Sequence, residues 1–251
     1  MVSRLCYGLL LCVLGSASLS VQTVAQSVEA DRPSLSERAA SLTQSTLQVE
    51  AGVAYAEGTL STFEFGQLLV RYGFADGLEL RAGINSLALT ESAGEDGYTG
   101  TNVGVKVGLL CSTNPSCPFR LSMLADAALP TGTGSFEAPD NRVRQTLLLA
   151  AESMLGNGLA LDTNAGVRFF YTDTTQEEWT LTSALRLSLT PGVEPYVGYA
   201  GFFPDGDTRN YVETGLLFQS SQTLQFDLNA GLRVDEDANE GFVGGGVTFQ
   251  L

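Results

Sequence analysis

The sequence predicts an all-β protein, an antiparallel up-and-down transmembrane β-barrel of about twelve strands. Three observations predict it. Apolar and polar residues alternate with period two in strand-length segments; these are joined in turn by short and long connections; and charges within them fall on one parity. Leu224–Arg233 shows the alternation, with Leu, Phe, Leu, Ala and Leu on one parity and Gln, Asp, Asn, Gly and Arg on the other. Successive strand side chains point to opposite faces, so such a segment has one greasy and one polar face. Behind an export signal, the greasy face is expected to meet lipid and the polar face to line a lumen. A secreted soluble β-protein with an apolar core is the alternative that periodicity alone leaves open.

The chain opens with Arg4, an apolar run from Leu5 to Leu14, and then small and polar residues ending at Thr23-Val24-Ala25. That order predicts a signal peptide over 1–25, cleaved before Gln26, with a retained anchor as the alternative. Residues 26–45 carry no strand pattern and are expected to be periplasmic or to fold inward as a plug. The barrel is expected over 46–251. Its predicted strands are Thr46–Ala56, Thr62–Tyr72, Leu78–Leu89, Thr101–Leu110, Phe119–Pro130, Val143–Leu155, Leu159–Tyr171, Trp179–Leu189, Val193–Phe203, Tyr211–Gln219, Leu224–Arg233 and Phe242–Leu251. Most match the roughly 9–11 residues needed to cross a bilayer at a tilt.

The short connections carry turn chemistry, as in Gly156-Asn157-Gly158 and Thr190-Pro191-Gly192. The six longer ones, near 57–61, 90–100, 131–142, 172–178, 204–210 and 234–241, hold fifteen acids and two bases. Outer-membrane barrels have short periplasmic turns and long external loops, the sorting found here. Cys111 and Cys117 flank one short turn. A disulfide is the expected pairing for an exported chain, and a metal pair would lack partners because the chain has no histidine. The acidic loops predict contact with outer-membrane lipid and lipopolysaccharide through divalent cations, or simple solvation. The net charge of −15 argues against nucleic acid.

Charge sorting is the most discriminating feature. The polar parity carries eight acids, Glu50, Glu79, Asp126, Glu152, Asp162, Glu194, Glu213 and Asp227, and eight bases, Arg71, Arg81, Lys106, Arg120, Arg144, Arg168, Arg186 and Arg233. Glu64 alone falls on the apolar parity. Balanced inward charges can pair across strands and brace the wall, or can hold a zwitterionic or anionic solute in transit. The candidate lumen or transport residues are Glu50, Arg71, Glu79, Arg81, Lys106, Arg144, Glu152, Asp162, Arg168, Arg186, Asp227 and Arg233. No catalytic residue, cofactor or metal site is expected: histidine-dependent mechanisms are unavailable, and glycine-rich Gly241–Gly246 lacks the Lys-Ser/Thr ending of a phosphate loop. The chain reads as a non-enzyme, either a channel for small solutes or a closed barrel acting through its acidic loops.

Ordered stretches of the chain resemble the outer-membrane transporter family named for the MetA pathway of phenol degradation. They are Asp31-Arg32-Pro33, Leu47–Gly52, the hairpin from Leu68–Gly73 to Leu78–Gly83, Leu129–Gly132 and Gly201–Pro204. The resemblance implies an outer-membrane barrel that moves small molecules, aromatic ones among them, and it supplies no substrate-contacting residue.

Overall fold

The computed structural model describes residues 28–58, 61–91, 94–138, 141–171, 175–235 and 240–251. The predicted signal peptide and its cleavage site lie outside them. Among the described residues, fourteen strands form one antiparallel sheet: β1 (Leu47–Glu57), β2 (Thr62–Ala75), β3 (Leu78–Ile84), β4 (Leu87–Thr90), β5 (Gly97–Tyr98), β6 (Thr101–Leu110), β7 (Phe119–Leu129), β8 (Arg144–Gly156), β9 (Leu159–Tyr171), β10 (Thr175–Leu187), β11 (Val193–Pro204), β12 (Arg209–Gln219), β13 (Leu224–Arg233) and β14 (Gly241–Gln250). β2 pairs with both β3 and β4, β3 pairs with β6, every other strand except β5 pairs with the next in the chain, and β14 pairs back onto β1 with Val49 opposite Phe249 and Tyr55 opposite Val243. The sheet is therefore closed and has no free edge, the requirement for strands in lipid. β3 with β4, and β5 with β6, each make one stave, giving the twelve staves expected.

The molecule is apolar outside and charged inside. Leu87, Leu147, Leu149, Trp179, Val197 and Leu232 are among the large hydrophobic residues exposed on the outer face, while Glu50, Arg71, Glu79, Lys106 and Glu152 are buried. That inverts the arrangement of a water-soluble domain. Tyr72, Phe119, Phe226 and Phe249 stand on the outer face near the short turns, and Phe63 and Trp179 near the long loops. This is where interfacial girdles form. The outer face excludes the soluble alternative, whose apolar parity would have to be covered.

Two local irregularities change the parity. Gly66 has φ +75° and interrupts the β1–β2 register, so that Val49 faces Val70 on one side of the bulge and Val53 faces Phe65 on the other. The extra residue turns Glu64 inward, where it accepts from Gln67 Nε2 (3.1 Å) and from Ser86 Oγ (2.8 Å). The one acid read as facing lipid thus faces the lumen. The third stave, read as continuous over Leu78–Leu89, breaks at Asn85-Ser86, and the break directs the buried Ser86 hydroxyl to that same Glu64. β10 begins at Thr175 rather than Trp179, which makes Glu178 a wall residue instead of a loop residue.

Cys111 and Cys117 are disulfide-bonded across the β6–β7 turn, with Cα atoms 6.1 Å apart. A short 3-10 helix, Gly134–Phe136, folds the long β7–β8 connection back over β5. Residues 28–46 form no strand. They lie within the barrel, against lumen-facing side chains from β1 round to β14.

Candidate functional site

The lumen and the segment inside it form one continuous polar network. Glycine in the wall makes the space for that segment. A Cβ on Gly52 would stand 2.3 Å from Arg32 Cζ, one on Gly246 2.6 Å from Arg32 Nε, and one on Gly73 2.0 Å from the Thr43 carbonyl oxygen. Arg32 therefore lies flat on the wall where β1 and β14 pair. From there its guanidinium donates to Gln67 Oε1 (2.8 Å) and the Gly245 carbonyl (3.3 Å), and lies 3.5 Å from Asp227.

Asp31 is the centre of the segment. Its carboxylate accepts from Arg81 Nη1 at 2.7 Å and from Lys106 Nζ at 3.0 Å, and Arg71 Nη1 lies 3.3 Å away. The backbone N–H groups of Asp31 and Arg32 both donate to Glu50, at 3.2 and 3.0 Å. Arg71 also grips Glu79 through two nitrogens, at 2.7 and 2.9 Å, and Glu50 through Nη1 at 3.0 Å. All these wall groups are buried. Burial raises the Asp31 carboxyl, but Arg71, Lys106 and Arg81 outweigh it and hold that carboxyl well below the usual range.

A second cluster surrounds Glu29 and Arg38. Arg38 reaches Glu29 (3.0 Å) and Glu194 (2.8 Å), and Arg120 reaches Glu29 at 3.2 Å. Arg186 ties together Glu152 (2.7 Å), Asp162 (2.6 Å) and Glu194 (2.8 Å). Glu37 accepts two bonds from Arg81 Nη2, both 3.1 Å, while its backbone N–H and carbonyl are held by Asn164 at 2.7 and 2.8 Å. Burial, with Asp31 adding repulsion and Arg81 opposing both, pushes the Glu37 carboxyl up to about 7. Glu213 accepts from Ser34 Oγ (2.8 Å) and the Leu35 N–H (2.9 Å).

Of the twelve candidate residues, Glu50, Arg71, Glu79, Arg81 and Lys106 gather around Asp31, Asp227 meets Arg32, and Glu152, Asp162 and Arg186 form the second cluster. Arg144, Arg168 and Arg233 lie apart, near the long loops. Arg233 pairs with Asp235 (2.8 Å) and Glu240 (3.1 Å), and Arg168 with Glu178 (3.1 Å). Residue-level reading missed Glu29, Asp31, Arg32, Glu37 and Arg38, because a segment held by side chains has no period. The wall glycines were a signal for it, yet inside strands they read as bends.

A closed, lipid-facing wall around a charged lumen defines an outer-membrane-type β-barrel. Residues 30–251 match the family described as "Putative MetA-pathway of phenol degradation", and the chain belongs to that family. No curated protein matches the sequence. Among solved structures, an outer membrane channel from Pseudomonas putida F1 aligns at 12% identity over 84% of this chain and 97% of its own, with a TM-score of 0.65. The NanC porin aligns at 9% identity over 81% and 100%, TM-score 0.59. The KdgM porin, solved in complex with disordered oligogalacturonate, aligns at 13% identity over 80% and 98%, TM-score 0.51. At these identities the likeness is one of fold.

Proposed function

We propose that this protein is an outer-membrane channel for small solutes whose lumen is closed at rest by residues 28–46 acting as an internal plug. The observation that carries the reading is how the segment is attached. It joins no β-ladder, and apart from a few backbone bonds near its exit, such as Ser45 N–H to the Gly73 carbonyl at 2.7 Å, side chains hold it. Water or a solute can replace such contacts, because every wall charge the segment leaves behind becomes hydrated. A segment built to brace the wall permanently would be expected to pair as a strand. Membership of the family and the porin folds of its structural neighbours support the channel reading.

The barrel would sit with its short turns in the periplasm and its acidic loops among lipopolysaccharide, reached through a signal peptide over 1–25. Asp31 and its partners Arg71, Arg81 and Lys106 would be the latch. No residue is given a catalytic role. Liposome swelling tests the function: vesicles bearing a chain lacking residues 26–45 should admit small sugars and amino acids faster than vesicles bearing the full chain. Folded protein that leaves both impermeable would favour the closed barrel acting through its loops.

A further inference from the structure

Above the segment, toward the long loops, the lumen wall changes character. Arg168 on β9 and Arg209 on β12 share one carboxylate: Glu178 accepts from Arg168 Nη1 through Oε1 and from Arg209 Nη2 through Oε2. Arg144 on β8 lies two residues from Thr146, which pairs with Arg168, and so faces the lumen on the same side of the wall. Among the described residues Arg144 has no carboxylate within ion-pair distance, so three guanidiniums share a single acid. Two of the three remain open to the lumen, the Arg168 and Arg209 side chains being 39% and 42% exposed. The apolar component is as regular. Arg168 stands 5.9 Å from the centre of the Phe170 ring and Arg209 5.6 Å from that of Phe202, whose ring meets Tyr211 edge-on at 6.1 Å.

The geometry points to a receiving site for small carboxylates with an apolar body, built by Arg144, Arg168, Arg209, Phe170 and Phe202. Glu178 shows that a carboxylate fits between two of these guanidiniums with one oxygen for each. A guanidinium carries five N–H donors and Glu178 takes one from each partner, so donors remain for a second carboxylate. Arg144 supplies the extra positive charge that a second anion needs. The rings give the ligand's apolar body a surface and keep the guanidiniums splayed against the wall. The position is suited to first contact, between the acidic loops and the segment. Below it, Asp31, Glu29 and Arg38 already occupy Arg71, Arg81, Lys106, Arg120 and Glu194.

This inference deepens the channel reading and rests on it for its biological use, but binding can be measured without transport. Benzoate titrated by calorimetry into the detergent-solubilised full chain should bind, and 1 M NaCl should weaken that binding. The double variant R144Q/R168Q, confirmed as folded by its heat-modifiable gel band, should bind about tenfold more weakly or worse, since it loses two charge-assisted bonds. Acetate should bind more weakly than benzoate, as it leaves the rings uncovered. Absence of benzoate binding, or binding unchanged in the double variant, overturns the site. Binding as expected by a chain that never conducts, even without residues 26–45, would keep the site and remove the channel.

Discussion

Replacing Asp31 with alanine is the sharpest perturbation of the latch. Its side chain is 4% exposed and shared by Arg81 at 2.7 Å, Lys106 at 3.0 Å and Arg71 at 3.3 Å. In Asp31→Ala, Arg71 keeps Glu50 and Glu79, and Arg81 keeps Glu37, but Lys106 loses its hydrogen-bonded carboxylate and keeps the Ala40 carbonyl at 3.3 Å, with Glu79 opposite it in the register. A buried cation stripped of its partner costs about 3–5 kcal/mol. That cost falls on the docked state alone, because an undocked segment lets water reach Lys106. At 1.4 kcal/mol per decade, the docked-to-undocked ratio should fall by roughly a hundredfold to a few thousandfold. The assay is open probability in a planar bilayer, paired with alkylation of a cysteine placed at Ser122, whose hydroxyl donates to the Ala39 carbonyl at 2.5 Å in the docked state. Both should rise in the variant. A folded Asp31→Ala protein with unchanged alkylation and unchanged current would refute the latch.

Other consequences are as specific. Gly73→Ala places a Cβ about 2 Å from the Thr43 carbonyl oxygen, a backbone atom that cannot step aside, so it should raise alkylation at the same reporter while the barrel still folds. Between pH 5 and 8 the titration of Glu37 should govern docking. Its carboxyl is raised to about 7, so its contribution is fully present below about 4.5 and lost as pH rises through 7, and current should increase from pH 5 to pH 8 and flatten in Glu37→Gln. Glu29 and Asp31 are shifted the other way, so their contributions fail only on acidification below the usual carboxylate range. Replacing Cys111 and Cys117 with serine releases a link only six residues long, which should lower stability by about 2 kcal/mol in chemical denaturation and leave conductance unchanged.

Much of the wall is legible in the sequence because a barrel strand repeats one physical rule, apolar outward and polar inward, every two residues. The parity of Glu50, Arg71, Glu79, Arg186 and Asp227 follows from that rule alone. Glu64 escapes it because one inserted residue at Gly66 reverses parity without altering local composition. Glu178 reads as a loop acid because Gln176, Glu177 and Glu178 together look solvated, although the pairing of β9 with β10 runs through them. The segment over 28–46 is legible only as a length of chain able to enter the lumen. Its place is set by tertiary contacts between residues such as Arg32 and Asp227, 195 positions apart, which no local pattern encodes. The balance of eight bases against eight acids on the wall suggested self-pairing. In the structure much of that pairing passes through Glu29, Asp31, Glu37 and Arg38 instead.

Single-channel recording tests the plug most directly, with the full chain compared against one lacking residues 26–45 in the same bilayer. A plugged lumen should give brief, rare openings for the full chain and long-lived conductance steps for the shortened one. Folded, heat-modifiable protein that stays silent after the deletion, or a full chain that already conducts at the shortened chain's level, would contradict it.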